Sequence, residues 1–303
     1  MECRAERILS SSLREEREIR ICNKGKNLVL VLHPYGYGKV PFLVGNPKYP
    51  SFKKMESIDA VFVEPDASLP IRSGITNPPF EDMYMGSWYH DSEYVGKYAS
   101  FIVEVARLFK ERYEIKGRTA VIGGSMGGWG AINLTLKYPD IFSIGASADG
   151  PMIYGKSLLF LKEGTQELAR IMGTTVEQVG EVYLDMARSL DIVYTGGKLL
   201  KSVSYINGKV LYDESLFEKI KLNFPLQVVE TYRANIVENE LILITNYYDT
   251  GIAISNSLMH NKMLQLHIPH HYQCYVGPKV ASHIIGVANS MSKILELLGV
   301  RFR

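Results

Sequence analysis

Residues 119–130, TAVIGGSMGGWG, constrain this chain more than any other stretch. Ala120, Val121 and Ile122 form a short apolar run of the kind that builds a strand buried on both faces. Trp129, Ile132, Leu136 and Tyr138 then recur at helical spacing until Pro139 stops them. Between strand and helix lies G-x-S-x-G, as Gly123, Gly124, Ser125, Met126 and Gly127. A serine at the tip of so sharp a turn holds its hydroxyl out of the chain, in a strained backbone conformation. The residues two before and two after it approach closely, which is why both are glycine. The pattern therefore predicts an activated serine nucleophile. A phosphate-cradling loop is the rival reading. It requires Gly-Lys-Ser/Thr or G-x-G-x-x-G, and this turn holds neither.

A chain of 303 residues is long enough for one large α/β domain with an insert. A net charge of +2 gives no global bias toward nucleic acid or a membrane surface. No apolar run approaches the ~18 residues of a membrane-spanning helix. The N-terminal residues 1–20 lack the apolar core of a secretion signal, so the sequence reading expects a cytoplasmic protein. Cys3, Cys22 and Cys274 are widely spaced. They make no metal pattern, and the expectation is no disulfide framework and no metal.

Strands are expected at 8–13, 18–22, 27–32, 60–64, 120–122, 142–147, 240–245 and 271–276. Helices are expected at 93–113, after Ser125, at 252–266 and at 282–298. Apolar strands alternating with helices imply a mostly parallel central sheet covered on both faces. The alternation stops at 152–238. That stretch reads as a mainly helical insert, or cap, within a single domain. Its clearest helix is 175–189, with Thr174 or Thr175 as N-cap and Glu177 or Gln178 reaching back.

A serine hydroxyl needs a base to take its proton, and the base needs a third group to orient it. In a sheet of this kind the chain order is nucleophile, acid, histidine. His283, just before the last helix, is the selected base over His267, His270 and His271. Asp249, in the loop after the strand 240–245, is the selected acid, with Asp149 as runner-up and Asp191 behind it. Backbone N–H groups for an oxyanion are expected from Met126 and from the loop 33–38, where Pro34 has none to offer. Tyr35 is the chosen donor and Gly36 the alternative. Many aromatic residues fall in the same loops, and Tyr37, Trp88 and Tyr248 are assigned to substrate contact.

Four stretches together resemble one family: VLVLHPYGYG, SWYHDSEYVGKYASFIVEVARLF, AVIGGSMGGWGAINLTLKYPDIF and YYDTG with the His283 region. They are similar to the esterase branch of the α/β-hydrolase superfamily that holds esterase D-like, feruloyl-esterase-like and mycolyltransferase-like proteins. The resemblance covers 27–150 well and 240–300 loosely, and leaves the insert out. It departs from the family pattern at His33-Pro34, where His-Gly is usual, and at Ser282-His283, where Gly-His is usual. The resemblance implies an α/β-hydrolase fold, Ser125 as nucleophile and no cofactor. The expected activity is hydrolysis of small carboxylic esters, with aromatic-acyl or short-chain substrates. Acyl transfer to an alcohol or sugar is the alternative, and a non-catalytic binding protein the reading from another class.

Overall fold

The computed structural model describes residues 2–75, 83–152, 166, 169–170, 173–199, 204–206, 209–211, 214–277 and 283–303. Eight strands form the main sheet: β1 (Cys3–Ser10), β2 (Glu15–Cys22), β3 (Asn27–Leu32), β4 (Ala60–Pro65), β5 (Thr119–Gly124), β6 (Ile144–Ala148), β7 (Glu240–Asn246) and β8 (His270–Tyr275). Their order across the sheet is β1-β2-β4-β3-β5-β6-β7-β8. β1 and β2 run antiparallel, and β2 meets β4 antiparallel. From β4 through β8 every pairing is parallel. Parallel strands end on the same edge. The loops after β3, β5, β6 and β7 therefore crowd together at one rim, and the site stands there.

Strand alternation divides the core into two faces. Leu28, Leu30, Leu32, Val61, Val63 and Val121 point to one side, against Phe101, Ile102, Val105 and Phe109 of helix α1 (Tyr98–Arg112). Val29, Val31, Phe62, Ile122 and Ala146 point to the other. There they meet Val287, Met291, Ile294, Leu295 and Leu298 of the last helix, His283–Arg301. Strands β3 to β7 are buried along nearly their whole length because both of their faces are covered.

The helix after Ser125 is α2 (Met126–Lys137). The insert between β6 and β7 supplies α3 (Val176–Thr195), α4 (Glu214–Lys221) and α5 (Pro225–Tyr232), with a short hairpin pairing Ser204–Ile206 and Lys209–Leu211. Thr175 is the N-cap of α3. Its hydroxyl accepts from Gln178 N–H while the Gln178 side chain answers the Thr175 N–H. Helices α6 (Thr250–Gln265) and α7 (His283–Arg301) complete the chain. Ser282, the expected first residue of the last helix, lies outside the described residues.

Three local expectations change. The first strand pair is a hairpin whose turn falls at Ser11–Arg14, inside the stretch expected as a strand. Arg14 takes φ 58° there, and Glu104 of α1 accepts hydrogen bonds from the turn. Leu13 had extended the apolar pattern, but it packs on α1's core cluster from the turn. The register sets Cys3 opposite Cys22, Cα atoms 4.2 Å apart, and the two form a disulfide, contrary to expectation. A hairpin closes a sequence separation of 19, which the spacing alone conceals. Finally, α1 starts at Tyr98 and not at 93. Gly96 at φ 115° turns the chain, and Asp91 accepts the Ser100 N–H at 2.9 Å.

Candidate active site

Ser125 sits between β5 and α2 at φ 53° and ψ −120°. Relaxed L-residues do not occupy that conformation. Its surroundings over-determine it. The Ser125 N–H donates to the Ala148 carbonyl at 3.0 Å, and the Trp129 N–H donates to the Ser125 carbonyl at 3.1 Å. A Cβ on Gly123 would lie 2.3 Å from the Gly127 carbonyl carbon. One on Gly127 would lie 2.1 Å from the Leu32 carbonyl oxygen. Both are far inside contact distance, so the turn closes only around these two glycines. The second contact also shows that the end of β3 touches the start of α2.

The structure brings Ser125, His283 and Asp249 into one hydrogen-bonded line. His283 Nε2 is 2.7 Å from Ser125 Oγ, and His283 Nδ1 is 2.5 Å from Asp249 Oδ2. The neutral tautomer that satisfies both bonds carries its proton on Nδ1, donates it to Asp249 and accepts the serine O–H on Nε2. His283 is the first residue of α7, and Asp249 is the residue before α6. Asp249 makes no side-chain cap bond to its helix, so its carboxylate is committed to the imidazole. Burial pulls the His283 imidazole toward neutrality. The Asp249 carboxylate, with Asp149 beyond it, more than offsets this and leaves the pKa above the ordinary value.

Asp149 lies behind that line, fully buried at φ 48°. One oxygen accepts from Thr245 Oγ1 at 3.0 Å and from the Asn246 N–H at 2.8 Å. The other accepts from Ser290 Oγ of α7 at 2.5 Å. One carboxylate thus ties the end of β6, the loop that carries Asp249 and the helix that carries His283. Burial and the neighbouring Asp249 push its pKa up to about 6. Asp149 makes no hydrogen bond to His283.

The other candidates fall elsewhere. His270 Nε2 is 2.7 Å from His260 Nδ1 at the start of β8, the far end of the parallel sheet. His267 closes the turn after α6 at φ 56°. Asp191 is buried in α3, where it accepts from the Leu199 N–H at 3.1 Å and holds the end of that helix.

On the opposite side of Ser125 stands the loop after β3. His33 is buried and neutral. Its Nδ1–H donates to the Pro34 carbonyl at 2.9 Å, and its Nε2 accepts the Ala67 N–H at 3.1 Å. Burial lowers its pKa, as that pattern requires. The Tyr89 hydroxyl donates to the His33 carbonyl at 2.9 Å. Beyond the loop, buried Glu64 accepts the N–H groups of Phe42, Leu43 and Val44 at 2.7, 2.8 and 2.9 Å. Tyr37 N–H is taken by the Pro34 carbonyl and Gly38 N–H by that of Val40. Among the described residues the Tyr35 and Gly36 N–H groups have no such partner. Met126 N–H, at the first position of α2, has none within its helix. It also stands at the positive end of the helix dipole.

The aromatic residues divide. Trp88, assigned to substrate from the sequence, is 2% exposed and belongs to the interior. Its ring stands edge-on to Trp129 at 6.1 Å, and its Nε1–H donates to Ser189 of α3 at 2.9 Å. The Tyr35 ring is buried beside it, 6.3 Å away. Tyr37 is half-buried, edge-on to Phe42 at 5.7 Å. Tyr248 is half-buried against Tyr247 at 5.6 Å, and Tyr247 is exposed. Glu64, Asp185 and Ser189 escaped the sequence reading. The last two carried a signal: polar residues four apart on the same buried stripe of α3 as Val179, Val182 and Leu190.

Residues 84–163 match the family described as "Putative esterase". No curated protein matches the chain in sequence. Among solved structures, a ferulic acid esterase superposes with TM-score 0.62 at 15% identity, covering 99% of this chain and 98% of that one. An S-formylglutathione hydrolase from Agrobacterium tumefaciens gives 0.61 at 14% identity, covering 99% and 95%. The fluorophosphonate-binding serine hydrolase FphF of Staphylococcus aureus gives 0.60 at 11% identity, covering 98% of each. The fold is that of the α/β-hydrolases, and the esterase-family segment carries the serine turn. Among the described residues no helix is long and apolar enough to cross a membrane, and no group of three metal-ligating side chains occurs.

Proposed function

We propose that this esterase-family α/β-hydrolase is a serine carboxylesterase that cleaves small esters through an acyl-enzyme. The observation that carries the reading is the hydrogen-bonded line Ser125–His283–Asp249 on a strained turn, with unpaired N–H groups on the opposite side. Ser125 Oγ attacks the ester carbonyl carbon as its proton passes to His283 Nε2. The carbonyl π pair moves onto oxygen, where the N–H groups of Met126 and Tyr35 receive it. Those bonds matter most once charge has developed, so they lower the barrier and do not merely tighten binding. The tetrahedral species collapses, the C–O bond breaks, and His283 returns the proton to the leaving alcohol. A water then gives its proton to His283 and attacks the acyl carbon, and Ser125 leaves reprotonated as the acid departs. Asp249 keeps the imidazole in its tautomer and balances its charge in both halves.

The His283 side chain is 31% exposed, which leaves water a path to the acyl carbon and favours hydrolysis over transfer to another alcohol. Short acyl groups are the preferred class. The rings of Tyr35 and Trp88 are committed to the interior and do not offer a stacking face. Tyr37 and Tyr248 remain as substrate contacts. Ser125→Ala should lower turnover of p-nitrophenyl acetate on the order of 10⁴-fold or more. Intact-mass analysis after fluorophosphonate treatment should find one adduct, on Ser125. A variant that keeps most of the activity would sink the reading. Methyl ferulate turned over faster than p-nitrophenyl acetate would overturn the short-acyl preference alone.

A further inference from the structure

Among the described residues, the insert meets the loop after β3 through the residue assigned as oxyanion donor. The Tyr35 hydroxyl donates to Asp185 Oδ2 of α3 at 2.8 Å. It also meets the Gly86 N–H and the Ser189 hydroxyl. Ser189 in turn accepts the Trp88 Nε1–H at 2.9 Å and donates to the Met186 carbonyl at 2.7 Å. Ser73 and Gly74 also lie near Asp185 and favour its charged form. Asp185, Ser189, Tyr35 and Trp88 are all buried, with exposures of 2%, 0%, 8% and 2%. A buried carboxylate and three buried polar groups are costly unless satisfied, so this knot exists as a unit or not at all.

Tyr35 is therefore held at both ends. Its backbone belongs to the loop fixed by His33, and its side chain belongs to the insert. A tyrosine has two side-chain torsions, so fixing its hydroxyl narrows where its own N–H can point. We infer that Asp185 is a positioning residue: through the Tyr35 hydroxyl, the cap helix α3 sets the aim of the Tyr35 N–H at the oxyanion. The inference rests on the esterase reading above. It adds that the insert belongs to the catalytic unit and is more than a cover over the sheet edge. A ring that only filled space would need no carboxylate from another segment, 150 residues away in the chain.

Three single variants, one double variant and one complex test this. Tyr35→Phe keeps the ring and removes the bond. It should lower kcat on p-nitrophenyl acetate about 10-fold or more and leave KM within about threefold, because an oxyanion bond acts in the transition state. Asp185→Ala should do the same. Asp185→Asn, whose amide oxygen still accepts from Tyr35, should keep most of the activity. The double variant Tyr35→Phe/Asp185→Ala should be no worse than the weaker single, since both remove one interaction. Affinity for a trifluoromethyl ketone, which forms a hemiketal on Ser125, should fall in parallel with kcat/KM. Should the substituted proteins fail to fold, the wild-type protein decides the matter. The hemiketal should slow amide hydrogen exchange in α3 as well as in 33–38. Unchanged kcat in both single variants, equal losses in Asp185→Ala and Asp185→Asn, or unchanged exchange in α3 would overturn the inference. Failure of the esterase reading looks different: wild-type Ser125 would take no fluorophosphonate adduct, and Ser125→Ala would change nothing.

Discussion

The two sides of Ser125 are built by different means. The proposed acid–base side uses the ends of neighbouring strands: Asp249 follows β7, Asp149 follows β6, and His283 opens the last helix, after β8. Its groups are fixed by the ends of paired strands. The proposed oxyanion side rests on the first turn of α2 and the loop after β3, and that loop is tied through Tyr35 to a helix from outside the sheet. Parallel topology supplies the first side almost automatically. The second side needs an extra segment to hold it. Charge follows the same division. The acid–base side concentrates two carboxylates around one imidazole, whereas the oxyanion side presents uncharged N–H groups. Changes on the first side should alter pH dependence, and changes on the second should not.

The strongest way to break this division is Asp249→Ala. It removes the acceptor of the His283 Nδ1–H and leaves the loop after β3 untouched. We expect kcat on p-nitrophenyl acetate to fall roughly 10³- to 10⁴-fold, with some Ser125-dependent turnover remaining. The acid limb of kcat/KM should also move to lower pH. His283 acts as a base only when neutral, and the carboxylate that raises its pKa is gone. Tyr35→Phe, by contrast, should leave that limb in place. Equal pH shifts in the two variants would break the division between the sides.

Asp149→Asn sharpens the comparison at smaller amplitude. Asp149 faces Asp249 and His283, and more distantly the phenols of Tyr49 and Tyr275 and the Cys274 thiol. Burial pushes the Tyr275 phenol up to about 12, and it raises Tyr49 and Cys274 as well, so these stay uncharged near neutrality. The charge removed is therefore one of the two that hold His283 above its ordinary pKa. The kcat/KM acid limb should shift to lower pH, by less than with Asp249→Ala. Plateau kcat should fall only a few-fold, about 1 kcal/mol or less. A full pH profile checks both. An unmoved limb would show that Asp149 acts only as a tie between strands.

The sequence made these sides unequally legible. Ser125 was visible because a turn that tight admits glycine at only two flanking positions, and the apolar run before it declares the strand. Asp249 and His283 followed from chain order, since parallel strands deliver their loops to one rim. Trp88 and Tyr35 were ambiguous, because a ring in a rim loop can turn toward substrate or toward the core. Deciding between the two required the partner, Ser189 or Asp185, from a segment with no strand register to place it. The insert's expected start at 153–165 falls outside the described residues. The Cys3–Cys22 bond was hidden for a related reason. It depends on a hairpin register, and the turn lay two to three residues from where the apolar pattern put it.

A change remote from both sides should move stability alone, and Glu104 offers one. It lies on α1 and accepts the Ser11 and Ser12 N–H groups at 2.7 and 3.0 Å and the Ser10 hydroxyl at 2.9 Å. Burial pushes its pKa up, but these donors outweigh it and bring the carboxyl down to about 2. An acid depressed in the folded state stabilises the fold above its unfolded value, near 4.5, and loses that contribution as pH falls toward 2. Glu104→Gln should therefore cost roughly 1–2 kcal/mol at pH 7, after allowance for solvent screening. The gap in Tm from wild type should narrow steadily below pH 4.5. Specific activity and the acid limb of kcat/KM should stay at the wild-type position at temperatures well below Tm. If Glu104→Gln shifted that limb, the pH dependence would not belong to Asp249, Asp149 and His283, and the contrast between the two sides of Ser125 would lose its electrostatic basis.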